Sequence, residues 1–180
     1  MSRMGGVTAP ETEPPDLGED RVTAWHEAGH VVVYLLQGRS LRYVTLRPRG
    51  TGRVGFTAVR PRRVDVSSVA VVAHAGPLAQ ARHVIEVTSE AERLNEGVTA
   101  EDVRLGAYLH GGHDDLALID EARRAYGLAV DQPDLWAEIA QDIVDRHWAD
   151  ISRIAEALLE HRTLTGAQLR ALVPGLPLGR

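Results

Sequence analysis

Two histidines four residues apart, His26 and His30, enclose a glutamate at Glu27. Four residues of an α-helix turn about 400° and rise about 6 Å, so both imidazoles would lie on one helix face. That spacing suits one tetrahedral Zn²⁺. The carboxylate of Glu27 would lie beside the open metal position, where it can take a proton from metal-bound water. The pattern therefore predicts a catalytic zinc site.

A catalytic zinc site usually has three protein ligands, so a third is needed. The chain has no cysteine, which leaves histidines and carboxylates as candidates. The segment 110–116, H-G-G-H-D-D-L, is a glycine-rich turn leading into a predicted helix and is dense in such groups. Its spacing alone leaves the third ligand open. We expect His110 and His113 to be exposed loop residues; the alternative is that they bind the metal transiently or donate to the reacting oxygen.

The surrounding pattern predicts a mainly α fold (α+β) with a small β-hairpin beside the histidine-bearing helix. Asp20 or Thr23 is predicted to cap that helix. The apolar spacing predicts strands at 41–46 and 54–59, an irregular segment at 86–98, and helices at 22–37, 66–85 with an interruption at Pro77, 99–111, 114–126, 134–161 and after Thr165. His83, His147 and His161 are predicted to lie on the surface.

The composition indicates a globular chain with an aliphatic core, because 44% of the residues are hydrophobic and only 4% are aromatic. We expect a disordered leader at 1–19, one domain at 20–172 and a flexible tail at 173–180. No segment approaches the roughly 20 apolar residues that a membrane span needs. The net charge of −5 makes nucleic acid an unlikely partner. A cytoplasmic protein is the default expectation, since no signal peptide is visible.

Several motifs together resemble the FtsH-type ATP-dependent zinc proteases. Residues 26–30, H-E-A-G-H, match that family's zinc motif, and 44–50 with 55–57 resemble its strand, P-R-G turn and G-x-T strand. Residues 73–79 resemble its A-G-R-x-A-E helix, with Pro77 in place of the arginine. Residues 112–116, G-H-D-D-L, are similar to its G-A-S-N-D-L. The resemblance covers roughly residues 20–172.

The resemblance implies a zinc metallopeptidase in which Asp115 joins His26 and His30 as the third zinc ligand. It implies peptides or unfolded protein as substrates, and ring assembly, although the oligomeric state stays open. The sequence contains no G-x-x-x-x-G-K-[ST] motif and no lysine, so an ATPase would have to be a separate partner. The strand at 41–47 is expected to edge the cleft and to pair with an extended peptide.

Two alternatives remain at this point. Residues 39–63 contain eight arginines and no acidic residue, which would also fit a binding module for an acidic partner with a degenerate metal site. A zinc hydrolase acting on a small amide would use the same catalytic residues. Metal content separates the first alternative from a peptidase, and the shape of the cleft separates the second.

Overall fold

The computed structural model describes residues 18–47, 55–60, 65–129 and 132–176. In chain order the elements are α1 (Glu19–Leu36), β1 (Leu41–Thr45), β2 (Phe56–Val59), α2 (Val66–Val87), α3 (Glu90–Asn95), α4 (Ala100–Gly106), a π-helical turn (Ala107–Gly111), α5 (His113–Ala125), α6 (Leu135–Arg146), α7 (Trp148–His161), β3 (Thr163–Thr165) and α8 (Gly166–Leu172). The prediction of a mainly helical fold with a small sheet is confirmed.

The three described strands form one antiparallel sheet in the order β2-β1-β3. The predicted hairpin is confirmed, whereas the short strand β3 was not predicted. Tyr43 of β1 pairs with Ala58 on one side and with Thr165 on the other. Since β1 is the central strand, the expectation that residues 41–47 edge the cleft is wrong. In the described part of the chain, the strand beside the cleft whose outer edge carries no partner strand is β2.

The core is aliphatic, as the composition predicts. Helix α1 packs against α2 along one side and against α7 along another. Side chains such as Val31, Leu46, Ile154 and Leu158 are fully buried between these elements and the sheet. Burial of one such side chain stabilises the fold by about 1.5–3 kcal/mol.

Helix boundaries depart from the sequence prediction in three places. Helix α1 starts at Glu19 after Gly18, without a side-chain cap; Asp20 instead forms an ion pair with Arg162. The segment predicted to be irregular contains α3, which has a capping box of its own. The single long helix predicted at 134–161 is two helices that meet at His147. The break lets α6 pack on α2 while α7 packs on α1.

Helix α2 continues through Pro77 as one helix, so the interruption predicted there is wrong. Two helix starts agree with the prediction. The capping box of Thr99 with Asp102 is confirmed, and Thr165 caps α8. Residues 1–17 of the leader predicted at 1–19, and the predicted turn at 48–52, lie outside the described residues; Glu19 is already the first residue of α1. Val173 and Leu176, in the segment expected to be a tail, are buried in the core. The domain boundaries themselves stay predictions.

No described helix combines the length and the apolar character that crossing a bilayer requires. The longest described helix, α2, has 22 residues. Four polar or charged side chains lie in its last three turns, namely Gln80, Arg82, His83 and Glu86, and His74 lies in its middle.

Helices α1 and α2 approach so closely at Gly29 that no side chain fits there. A Cβ on Gly29 would overlap the carbonyl oxygen of Ala75 and would lie 2.9 Å from the Cβ of Ala79. The histidine-bearing face of α1 is thereby pressed onto the middle of α2.

His83 is buried rather than on the surface, which corrects the sequence prediction. Its ring stacks on Trp25, with centroids 3.7 Å apart, and Arg21 Nε donates to its Nε2. Burial and then the nearby charge of Arg21 lower the pKa of His83 to about 4. Trp25, one residue before His26, therefore packs on a neutral imidazole of α2.

The close contact at Gly29 predicts a large effect of one methyl group. We expect Gly29→Ala to lower the free energy of unfolding by about 2 kcal/mol, because the two helices must move apart. The matched control is Gly106→Ala, also in a helix, where the nearest atom to a new Cβ is His110 Cδ2 at 4.0 Å. Denaturant unfolding of both variants measures the difference; equal stability would contradict the close crossing.

The buried imidazole predicts a pH effect on stability. The pKa of His83 is about 4 in the fold and 6.5 when unperturbed, so the unfolded chain binds more protons between these values. The free energy of unfolding therefore falls as the pH falls through this window.

His83→Phe keeps a flat ring against Trp25 and removes the titration. We expect its melting temperature to fall less steeply than that of the wild type between pH 6.5 and pH 4. His161→Gln is the control, because the side chain of His161 is 49% exposed. Identical slopes for the wild type and His83→Phe would show that His83 does not titrate in this window.

Candidate metal centre

A cleft of about 820 Å³ opens between α1, β2, α2 and α5. Helix α1 contributes the predicted residues His26, Glu27 and His30, and α5 contributes Asp115. All four side chains therefore face one space, although α5 begins more than 80 residues after the histidines in the chain.

The two histidines of α1 converge as the helical spacing predicts. Their Nε2 atoms lie 3.0 Å apart. On the far side of each ring, Nδ1 of His26 donates to Gln80 Oε1 at 3.0 Å, and Nδ1 of His30 donates to the carbonyl oxygen of Val72 at 2.8 Å. Since Nδ1 carries the proton in both rings, each Nε2 presents a lone pair to the cleft.

The carboxylate of Asp115 completes this group of donors. Its oxygens lie 3.1 Å from His26 Nε2 and 3.4 Å from His30 Nε2, and its side chain is only 13% exposed. Burial alone would lower the pKa of His30, but the charges of Asp115 and Glu27 outweigh burial and raise it to about 9. Burial would raise the pKa of Asp115, but the two histidines hold it well below its usual range.

The donor set fits a divalent metal. One ligand atom from each of His26, His30 and Asp115 lies within 4.8 Å of the other two. Two imidazole nitrogens and one carboxylate oxygen are ligands that Zn²⁺ accepts in open, three-ligand sites. Two imidazole nitrogens and a carboxylate directed at one point need a shared cation, and the raised pKa of His30 means that a proton on its Nε2 takes this role when no metal is bound. Metal uptake at neutral pH should therefore release a proton.

Helix α2 forms one wall of this site, and the residue of α2 that faces the two imidazoles is a glycine, Gly76. A Cβ on Gly76 would lie 2.5 Å from His30 Nε2 and 2.8 Å from His26 Nε2. Gly76 therefore leaves the space in which the two imidazoles face Asp115. The next residue, Pro77, lies against Gly112, where a Cβ would come within 2.7 Å of the proline ring. This contact holds the turn from which α5 and Asp115 start.

Glu27 lies beside the metal-ligand group, and its side chain is fixed by the sheet. The residue is 7% exposed. Thr57 of β2 donates its hydroxyl to Glu27 Oε2 at 2.6 Å, while Gly55, with φ of +89°, lets the chain pass against the same side chain. One carboxylate oxygen is thus held by Thr57, and the group cannot swing freely into the cleft.

A buried polar network outside the cleft positions the segment that carries Asp115. His74 of α2 pairs through Nδ1 with the hydroxyl of Tyr108, which lies on the π-helical turn before α5, at 2.8 Å. Its Nε2 lies 3.2 Å from Asp134, whose carboxylate also caps α6 and accepts from Arg123 of α5. Burial raises the pKa of Tyr108 and lowers that of His74, which keeps both neutral.

The structure brings together all four predicted residues, while their roles as ligands and base stay predictions. His110 and His113 line the same cleft, and both are exposed; the side chain of His113 is 89% exposed. The expectation that they are exposed is confirmed. Sequence reasoning missed Gln80, Thr57 and the network of Tyr108, because each acts through a contact distant in sequence. The only sequence signal was that Gln80 stands at the glutamate of the A-G-R-x-A-E pattern.

Removing the Asp115 carboxylate should weaken metal binding selectively. We expect Asp115→Asn to reduce Zn²⁺ affinity by about 100-fold or more, because the site loses its only anionic ligand in the described group. Asp114→Asn is the matched control, since its side chain is 56% exposed. The rise in melting temperature with added Zn²⁺ measures the effect. Equal rises in the two variants would contradict the assignment of Asp115.

The sequence is similar to known proteins over most of its length. No family model matches the sequence. The chain is 30% identical to the ATP-dependent zinc metalloprotease FtsH of Thermus thermophilus, over 88% of its own length and 30% of that protein. It is 28% identical to the protein of that name from Rickettsia felis, over 89% of its length and 30% of the relative. It is 27% identical to FtsH 2 of Sphaerobacter thermophilus, over 86% of its length and 27% of the relative.

The chain therefore spans less than a third of the length of the curated relatives it matches. Each of these relatives carries the name of a zinc metalloprotease, which agrees with a donor set of His26, His30 and Asp115. Over most of its length, this chain is similar to one part of the FtsH-type ATP-dependent zinc metalloproteases.

Proposed function

We propose that this chain is a zinc-dependent metallopeptidase that hydrolyses peptide bonds in peptides or unfolded segments. The observation that carries the proposal is the convergence of His26, His30 and Asp115 in one cleft, with Glu27 beside them. The similarity to proteins named as zinc metalloproteases supports the same conclusion.

Each side chain has a separate role in this proposal. The Nε2 atoms of His26 and His30 and the carboxylate of Asp115 hold Zn²⁺, and Gln80 and the carbonyl of Val72 keep the two rings oriented. Zn²⁺ held by these residues would lower the pKa of water, so that water can lose a proton near neutral pH, and would polarise the substrate carbonyl.

Glu27 is the general base. Its carboxylate takes a proton from the attacking water and then delivers that proton to the nitrogen of the leaving amine. The hydroxyl of Thr57 donates to Oε2, which directs the other oxygen, Oε1, to the proton transfer. Burial of Glu27 between α1 and β2 excludes bulk water from this carboxylate and strengthens its interaction with the reacting groups.

The position of β2 favours a polypeptide as substrate. Gly55, Phe56 and Thr57 line the cleft, and the outer edge of β2 has no partner strand among the described residues. An extended peptide can pair with this edge through its main chain, which would bring a peptide bond past Glu27. Pairing of this kind needs an unfolded or flexible segment. A folded substrate would require a separate ATPase partner, as the names of the ATP-dependent relatives suggest.

Glu27→Gln provides the direct test of this function. We expect kcat for cleavage of an unfolded protein such as casein to fall by about 10²–10⁴-fold, because the amide cannot accept the proton. Zinc content should be unchanged. Glu19→Gln is the matched control, since Glu19 also lines the cleft but lies outside the metal-ligand group.

A chelator should abolish cleavage by the wild type, and added Zn²⁺ should restore it. Undiminished cleavage by Glu27→Gln with zinc bound would reject Glu27 as the base. Stoichiometric zinc with no cleavage of any polypeptide would favour a small amide as the substrate instead.

A further inference from the structure

A second cavity, of about 490 Å³, lies at the end of the sheet where β1 begins and β2 ends. Three arginines line it, namely Arg42 on β1, Arg60 just after β2 and Arg170 on α8. We propose that this basic cavity binds the carboxylates of an acidic polypeptide segment. The inference concerns a site separate from the metal-binding cleft and does not depend on peptidase activity.

The charge of the cavity is uncompensated in the described part of the chain. None of the described lining residues is acidic, and no described carboxylate forms an ion pair with Arg42, Arg60 or Arg170. Five of the other eleven described arginines form such pairs with described carboxylates, namely Arg82, Arg123, Arg146, Arg153 and Arg162. Three guanidinium groups around one cavity repel each other, so an anion bound between them is stabilised.

The backbone is shaped to bring these three arginines together. Leu41 pairs with Val59 and Tyr43 with Ala58, so Arg42 is the extra residue of a β-bulge, a feature that redirects a side chain. The first residue of α8, Gly166, approaches β1 so closely that a Cβ there would overlap the carbonyl oxygen of Leu41. This contact brings Arg170, one turn further along α8, to the cavity.

The third arginine is also held in place by the backbone. Arg39, which is 7% exposed, donates its Nη2 to the carbonyl oxygen of Arg60 at 3.1 Å, and the N–H of Arg60 donates to the carbonyl oxygen of Ser40. Arg60 therefore leaves β2 at a fixed position, although it lies at the end of the strand. These hydrogen bonds fix the backbone from which the side chain of Arg60 reaches the cavity.

The lining favours carboxylate side chains over nucleic acid. No aromatic residue lines the cavity among the described residues, so bases have no surface on which to stack. The net charge of −5 also opposes a long phosphate backbone. Guanidinium groups bind carboxylates in bidentate pairs, and the cavity has room for one or two acidic side chains.

The test measures binding of a fluorescent octaglutamate peptide to the full chain by anisotropy at low salt, with and without Zn²⁺. The double variant Arg42→Gln/Arg170→Gln should bind at least about tenfold more weakly than the wild type. The control Arg104→Gln/Arg146→Gln changes the net charge equally, at exposed positions on α4 and α6, and should bind within about twofold of the wild type. Circular dichroism and melting temperature check that each variant is folded.

Two further measurements test whether a peptide is bound rather than a single ion, and whether Arg170 takes part. Inorganic phosphate should compete only weakly, because one ion cannot contact all three arginines as a chain of carboxylates can. The peptide should raise the melting temperature of the wild type but not of Arg170→Gln. Any one of three results would overturn the proposal. The first is an equal loss of peptide affinity in the two double variants, and the second is no binding of the peptide. The third is tighter binding of an eight-nucleotide single-stranded DNA at the same arginines.

Discussion

The close crossing of α1 and α2 is the constraint on which the candidate site depends. At Gly29 the backbone of α2 lies against α1, and at Gly76 the backbone of α2 lies against both imidazoles. A side chain at either position would separate the helices. Because α2 also supplies Gln80 and the carbonyl of Val72 to the same rings, a small separation would remove the hydrogen bonds that orient them. The close packing of α1 on α2 and the orientation of the two histidines therefore depend on the same contact.

A second requirement is that α5 delivers a carboxylate to the same point from a distant part of the chain. Two contacts with α2 hold the start of α5 in position. Pro77 lies against Gly112, and His74 pairs with Tyr108 on the π-helical turn. π-Helical turns are frequent at functional sites, where they change the direction in which side chains project. Helix α2 thus contacts the histidines on one side and the segment that carries Asp115 on the other.

The sequence predicted the elements that local patterns determine. Helix α1, the hairpin and the capping boxes of Thr99 and Thr165 follow from apolar periodicity and from side chains within three residues of each other. The sequence prediction failed where tertiary contacts determine the secondary structure. Apolar residues recur at helical spacing from Ala140 to Leu158, across His147. This periodicity predicts one helix, although the packing requires two. Strand β3 has only three residues and exists because β1 offers an edge.

The candidate site divides in the same way. His26, Glu27 and His30 were predictable from spacing, because one helix fixes their geometry. Asp115 was not predictable from the residues of 110–116 alone, since the segment offers four possible ligands, and only the resemblance selected it. Thr57 and His83 gave no sequence signal, and Gln80 gave only its place in the A-G-R-x-A-E pattern, because the partner of each is more than 25 residues away. The basic cavity likewise depends on a bulge and on a helix that packs from the far end of the chain.

Anomalous X-ray diffraction at the zinc edge, from crystals of the full chain grown with Zn²⁺, tests the central claim most directly. The account predicts one ion bound by His26 Nε2, His30 Nε2 and a carboxylate oxygen of Asp115, each at about 2.0–2.2 Å. An ion bound elsewhere, or one that binds the histidine pair with His110 or His113 in place of Asp115, would contradict it.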